Sequence, residues 1–337
     1  MKNLLITSAF LILCFSSCDS NDSGNNTPAP APEATLVTSS NTSGKITVTN
    51  LLATAPMVKS FTIASLDAEG ISYNSETDAV TVASRTANKL ETYTGIKNAL
   101  TAGTDNLMLS LSSVTGDFTN ARETAVSGDI VVVAQDQLAS NGMLNKLFVY
   151  KKTATGFTLS KTFTTDFKLW GIHLNGSDLF AVADLTGDLV FFKDFMNNAS
   201  GTITATKRVT IAGLTRSHGI TYSSSDDVMI LTDVASATSG TDGGLIIIKN
   251  FSNVFNKTET SGTIALMNQT RIYGPNSTLG NPVDVAYDNV TKKIYVAERL
   301  NAGGQVLTYS FPMASGDMAP IDVRGEAGVT SVFLLRK

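Results

Sequence analysis

The chain has 337 residues, 42% hydrophobic and 16% charged, with a formal net charge of −4. That length suits one large β domain or two ordinary ones, and the mildly acidic balance gives no reason to expect a nucleic-acid partner. Cys14 and Cys18 are the only cysteines, so no disulfide and no thiol nucleophile is expected in the body of the chain.

The chain opens MKNLLITSAFLILCFSSC, with Lys2 followed by an apolar run over residues 4–15. A bilayer core needs about 20 apolar residues, so this run reads as an export signal. Phe15-Ser16-Ser17-Cys18 resembles the lipobox of bacterial lipoproteins, in which small residues precede a cysteine. The resemblance implies cleavage before Cys18 and a lipid on its thiol; Cys14, preceded by bulky Leu13, fits less well. Residues 19–34, DSNDSGNNTPAPAPEA, contain almost nothing that packs and form a solvated, partly extended tether. Acidic Asp19 after the cysteine resembles the surface-export signal of Bacteroidetes lipoproteins. The expected organisation is a signal peptide at 1–17, a lipidated Cys18 with its tether at 18–34, and a folded domain at 35–337. This places the protein in a bacterial cell envelope, at the outer membrane on either face, with membrane contact through the lipid alone.

Beyond the tether one pattern recurs. Aligned on a Val-Ala step, it reads VTVASR at 80–85, IVVVAQD at 130–136, LFAVADL at 179–185, VMILTDV at 228–234 and KIYVAER at 293–299. Ala83, Ala134, Ala183, Thr232 and Ala297 occupy one slot, spaced by 51, 49, 49 and 65 residues, with an insertion in the last interval. A short apolar run precedes most steps (GISY, GIHL, GITY, DVAY), and another follows each (KLETY, KLFVY, DLVFF, GLIII, QVLTY). These are period-2 segments rich in Val, Ile, Thr, Tyr and Phe, cut by Gly, Asn, Asp and Ser. Three or four short strands repeated about every 50 residues build the blades of a β-propeller. No long helical pattern lies between the strands, which excludes a parallel α/β fold.

The chain ends VTSVFLLRK, a first strand with nothing after it. The domain begins ATLVTSSNTSGKITVTN, a second and third strand with nothing before them. Joined, they complete a sixth repeat with Val37-Thr38 near the Val-Ala slot, and closure removes two unpaired edges. The prediction is an all-β, six-bladed propeller whose last blade takes strands from both termini. Its GI-x-hydrophobic, Val-Ala-Asp and closing runs resemble six-bladed propellers of the NHL and SMP-30/gluconolactonase type.

Adjacent strands of a blade are antiparallel, so the start of the first strand and the end of the second share one end of the propeller. The first strand is innermost, and its start rings the channel mouth. That slot holds Glu69, Trp170, His218 and, one position later, Asp284, with Arg122 or Glu123 in the second repeat. Strand-two ends add Arg85, Asp136, Asp184, Asp233, Glu298 and Arg299. Asp184 and Asp233 end strands before turns, where Asp accepts backbone N–H bonds, and that role is favoured for both. Trp170 either fills the mouth or stacks on a ligand. His173 reads as an interior residue, and Tyr73, Tyr222 and Tyr287 as packing between blades. Glu69 and His218 need a partner or water, because an inner-ring acid or imidazole is costly to bury alone.

Two functions fit these residues. Glu69-Gly-Ile-Ser-Tyr resembles the Glu-Gly-Pro motif that opens the first blade of SMP-30-type lactonases, whose Glu binds a divalent metal, commonly Ca²⁺. Under that resemblance His218 stands where the family has a metal-binding Asn, and Asp284 stands one residue from its Asp. An imidazole ligand shifts the preference from Ca²⁺ toward Zn²⁺ or Mn²⁺. The favoured expectation is a binding module for a glycan, a small acid or lactone, or an envelope protein. NHL-type repeats often serve as interaction surfaces, and no GxSxG, HExxH or glycine-rich phosphate loop is present, so no nucleotide partner is expected. A structural subunit of an envelope complex is a third possibility.

Overall fold

Each alternating run of the sequence becomes one strand of a four-stranded antiparallel blade, and six blades close a ring. The computed structural model describes residues 31–337; the export signal, Cys18 and most of the tether lie outside them. Blade 1 comprises Ala68–Asn74, Ala79–Ser84, Lys89–Thr94 and Met108–Ser112. Blade 2 follows with Ala121–Ser127, Ile130–Gln135, Lys146–Thr153 and Gly156–Thr164. Blade 3 has Leu169–Asn175, Asp178–Ala183, Asp188–Phe192 and Lys207–Ile211. Blade 4 has Ile220–Ser223, Val228–Asp233, Gly244–Lys249 and Thr270–Tyr273. Blade 5 has Pro282–Asp288, Lys293–Glu298, Gln305–Ser310 and Asp322–Gly325.

Blade 6 is the composite expected from the sequence. The last strand, Val329–Arg336, pairs with the first, Ala34–Ser40, and Lys45–Asn50 and Met57–Thr62 complete it. Thr38 faces Val332, and the register shift that marks the slot in other blades falls just beyond it, at Ser39 and Ser40. At the far end of this pair Lys337 and Glu33 exchange two backbone hydrogen bonds, at 2.9 and 3.1 Å. The chain ends therefore stand where the other blades place a hairpin turn. The insertion anticipated in the last interval is the Phe251–Lys257 helix and the loop after it, from which Thr263–Ile264 adds a short parallel strand to blade 3.

Six apolar clusters of the described residues each lie between two neighbouring blades, so the core is a ring of interfaces. Val182, Leu189, Leu231 and Ile246 fill one of them, all fully buried. β-Branched and aromatic side chains suit this role because each blade is buried on both faces. The inner strands touch in sequence, with the sixth returning to the first. Two glycines permit that approach. Gly70 has φ of +69°, and a Cβ there would stand 2.5 Å from the Thr124 nitrogen of blade 2. At Gly219 a Cβ would come within 2.7 Å of Asp284 Cα in blade 5. The glycines of the GI runs thus answer to packing around the axis.

Candidate functional site: the channel mouth

The mouth is assembled by irregularities in the inner strands. Glu69 pairs across the blade with Ala83, Glu123 with Ala134 and Asp284 with Ala297. All three pairings sit beside a register shift, and an extra residue in the strand re-aims the side chains next to it. The displacement of Asp284 expected from the sequence is absorbed in this way, because the shift after Pro282 returns Asp284 to the slot of Glu69. In blade 2 the slot residue is Glu123, and Arg122 occupies the bulge.

On one side of the mouth the side chains hold one another. Trp170 lies parallel to His218, with ring centroids 3.5 Å apart and 2° between planes. The Arg122 guanidinium carbon lies 4.1 Å from the same aromatic system. Two groups this close to one ring require opposite faces, so neighbouring blades already cover both faces of Trp170 and a ligand meets its edge. Stacking of a ligand on the indole face, one of the two roles open to Trp170, is therefore replaced by internal stacking. His218 Nε2 lies 3.2 Å from Asp184 Oδ1. Asp184 also accepts from Arg216 Nε at 2.6 Å and has Lys168 Nζ at 3.4 Å. Burial alone would raise the Asp184 pKa, but hydrogen bonds from His218 and Arg216, and their charges, hold it well below the carboxylate range. His218 goes the other way: burial pushes it down to about 4 against the pull of Asp184. The neutral ring then donates from Nε2 and keeps a bare Nδ1.

Asp136 receives Arg122 at 3.3 Å and Lys168 at 3.9 Å, linking this cluster to blade 2. Across the mouth Arg85 pairs with Glu69 at 3.0 Å and with Asp67 at 3.6 Å. Burial raises the Glu69 and Asp67 pKa values, with Arg85 the main opposing charge. Arg299 is exposed beside them, and its charge reaches both.

Two of the anticipated mouth residues serve the backbone. Asp233 accepts N–H bonds from Thr215, Arg216 and Ala235, and the Tyr273 hydroxyl at 3.0 Å. Glu298 accepts from Gly280, Asn281, Leu300 and Asn301. The turn role favoured for Asp233 is the one found. Asp184 differs: besides Leu185 N–H it takes the side chains of blade 4.

Below the mouth an axial cavity of about 170 Å³ is lined by Glu123, Asp284 and His173, among others. Asp284 accepts Val332 N–H at 2.7 Å and Val285 N–H at 2.8 Å. Burial still drives its pKa upward, and Glu69 adds to the shift. Glu123 is raised further by burial and by Asp284. His173, edge-on to Tyr222, is lowered to about 4 by burial. Among the described residues no group of three or more His, Cys, Asp or Glu is arranged to hold a metal ion. Glu69 turns to Arg85, His218 to Asp184 and Asp284 to backbone N–H groups, so the donor set expected for a divalent cation does not fit here.

Lys168, Arg216 and Asp67 were not singled out from the sequence. Each lies two residues before a mouth position (Trp170, His218, Glu69), in the loop ahead of an inner strand, where no strand alternation marks it.

No protein-family model matches the sequence, and no curated protein matches it. Solved structures do. One from a nidogen–laminin complex is 12% identical over 89% of this chain and 98% of that one, with a TM-score of 0.60. A provisionally assigned 6-phosphogluconolactonase of Bacteroides fragilis is 11% identical over 90% and 98%, with a TM-score of 0.59. Another, from Bacteroides uniformis, is 14% identical over 87% and 82%, with a TM-score of 0.56. At such identities the likeness concerns the fold, which hosts unrelated activities. The chain is a six-bladed β-propeller.

Proposed function

We propose that the protein is a lipid-anchored propeller of the NHL/SMP-30 type in the bacterial cell envelope, binding an anionic ligand at its channel mouth. The observation that carries this reading is a group of buried polar atoms without partners: Asp67 Oδ1, Arg122 Nε, Asp136 Oδ1 and His218 Nδ1. Buried polar groups are nearly always satisfied, so this concentration marks a place where a ligand or water completes the bonding: Arg122 Nε is the donor open to an acid group, while the two carboxylate oxygens and the bare imidazole nitrogen accept from ligand hydroxyls or water. Cations gather there on an acidic chain. Arg85, Arg122, Lys168 and Arg216 pair with Asp67, Glu69, Asp136 and Asp184, Arg299 stands exposed with no ion pair among the described residues, and burial raises the pKa of the first three acids. A small carboxylic or phosphorylated acid, or the acidic group of a glycan or partner protein, supplies the missing charge.

Trp170 is the only tryptophan, so its fluorescence reports on this face alone. Titration with gluconate and 6-phosphogluconate should give a saturable change that weakens with salt and is lost in Arg122→Gln. A flat response to both acids, or one indifferent to Arg122→Gln, defeats the reading. Cys18→Ala should release the protein from the membrane fraction; unchanged retention defeats the anchor.

Hydrolysis of a sugar lactone is the second reading, favoured by the two provisionally assigned lactonases among similar propellers. A phosphorylated lactone is itself an anion suited to the rim. Turnover of 6-phosphogluconolactone that disappears in Glu69→Gln supports it, and no turnover leaves the binder.

A further inference from the structure

A cavity larger than the axial one is remote from the mouth. It has a volume of about 570 Å³ and lies between blades 1 and 2. Asn74, Thr77 and Ala79 from blade 1 and Gly128, Asp129 and Lys152 from blade 2 line it. The first five flank the hairpins after the first strands and Lys152 the hairpin after the third strand of blade 2, so the cleft opens at the end of the propeller opposite the mouth.

Three features of its wall bear on what it holds. Lys152 is half-buried, and its ammonium makes no hydrogen bond or ion pair among the described residues. Burial lowers its pKa, and Asp129 supplies the opposing charge without coming within ion-pair distance. A hydrated ammonium does not give up water without a counter-charge, so this one is placed for an incoming anion. Hydroxyls form the second feature: Ser72, Thr77, Thr81, Thr92, Thr94 and Thr153 all face the cleft. Thr81 and Thr92 bond to each other at 2.8 Å, whereas Ser72 and Thr94 have no side-chain partner among the described residues. The third is apolar surface from Leu111, Val126 and Val131, against which the C–H face of a sugar ring packs. Ligand pockets commonly span about 300–1,000 Å³ and combine apolar walls with a few fixed polar groups.

We propose that this cleft is a second binding site, selective for an acidic saccharide of the uronic-acid class. Lys152 pairs with the carboxylate, the threonine and serine hydroxyls bond the ring hydroxyls, and Leu111 with Val126 covers a ring face. The site is independent of the mouth, shares no residue with it, and stands or falls separately.

Calorimetric titration of the full-length protein with D-glucuronate, with D-glucose as the uncharged control, tests the proposal. Glucuronate should bind at least about ten-fold more tightly than glucose, an amount typical of one charge-assisted contact. Lys152→Gln should remove that preference, and Lys151→Gln, an exposed neighbour outside the cleft, should keep it. Glucuronate should also protect Lys152 from an amine-acylating reagent while leaving Trp170 emission unchanged. Equal binding of glucuronate by wild type and Lys152→Gln overturns the site, as does wild-type protein that binds no glucuronate at millimolar concentration. Glucuronate that quenches Trp170 without protecting Lys152 belongs to the mouth and likewise overturns it.

Discussion

Asp184 of blade 3 and Glu298 of blade 5 follow the same alanine slot of the repeat, yet they do opposite work. Glu298 stays on its own blade and gathers four backbone N–H groups, two from the loop before the inner strand and two from the loop after the second strand. Asp184 reaches across to blade 4 and gathers a guanidinium and an imidazole, with Lys168 of its own blade beside it. Asp233 follows Glu298, and Gln135 of blade 2 does the same with the Thr119 N–H at 2.8 Å. One repeat position therefore fixes the loops in three blades and is released for side-chain chemistry in one. The difference lies in the neighbour: Arg216 and His218 stand opposite Asp184 and draw it out.

Glu298→Ala should break the structural side of this comparison most severely. Two buried and two half-buried N–H donors would lose their acceptor, costing about 3–5 kcal/mol of a domain's roughly 5–15 kcal/mol. Thermal unfolding should show a large drop in Tm, with little change in Trp170 emission at low temperature. Asp184→Asn should do the reverse. Arg216 and Lys168 are partly exposed and can rehydrate, so we expect a loss of about 1–3 kcal/mol. Trp170 emission should shift, because His218 loses the group that orients it. If Asp184→Asn leaves the emission unchanged, the cluster does not hold the stack.

A further effect concerns protons. Both histidines have folded pKa values near 4, below their ordinary 6.5. Between about pH 6.5 and 4 the unfolded chain therefore binds more protons, and this contribution to stability is lost as pH falls through that window. Ring-proton NMR should show neither His173 nor His218 titrating near pH 6.5. A midpoint there for His218 would mean that its ring is charged and hydrated, and that the stack on Trp170 opens at neutral pH.

The fold was largely legible because a blade is a local object. Period-2 runs, Gly and Asp turns and a spacing near 50 residues are all carried by neighbours in sequence, and the incomplete repeats at the two ends implied the closing blade. The mouth was legible as a list of positions, and much less as a set of partnerships. Lys168 and Arg216 passed unnoticed because nothing local distinguishes a loop cation that reaches a buried acid from one that faces water. Trp170 kept two possible roles because only the placement of Arg122 and His218 decides whether its faces are free.

The sequence by itself determined the strands, the number of blades and the end of the ring at which unusual residues gather. These follow from side-chain alternation and from the need to bury both faces of every blade. Tertiary structure alone decided that Asp284 shares a slot with Glu69, because a bulge costs one residue that no composition records. It also decided that Asp184 is a charge partner while Asp233 is a turn acceptor, and that Lys152 borders a cavity without a counter-ion. Such outcomes depend on which side chains from different blades meet across a few ångströms, and electrostatic and hydrogen-bond energies change steeply over that distance.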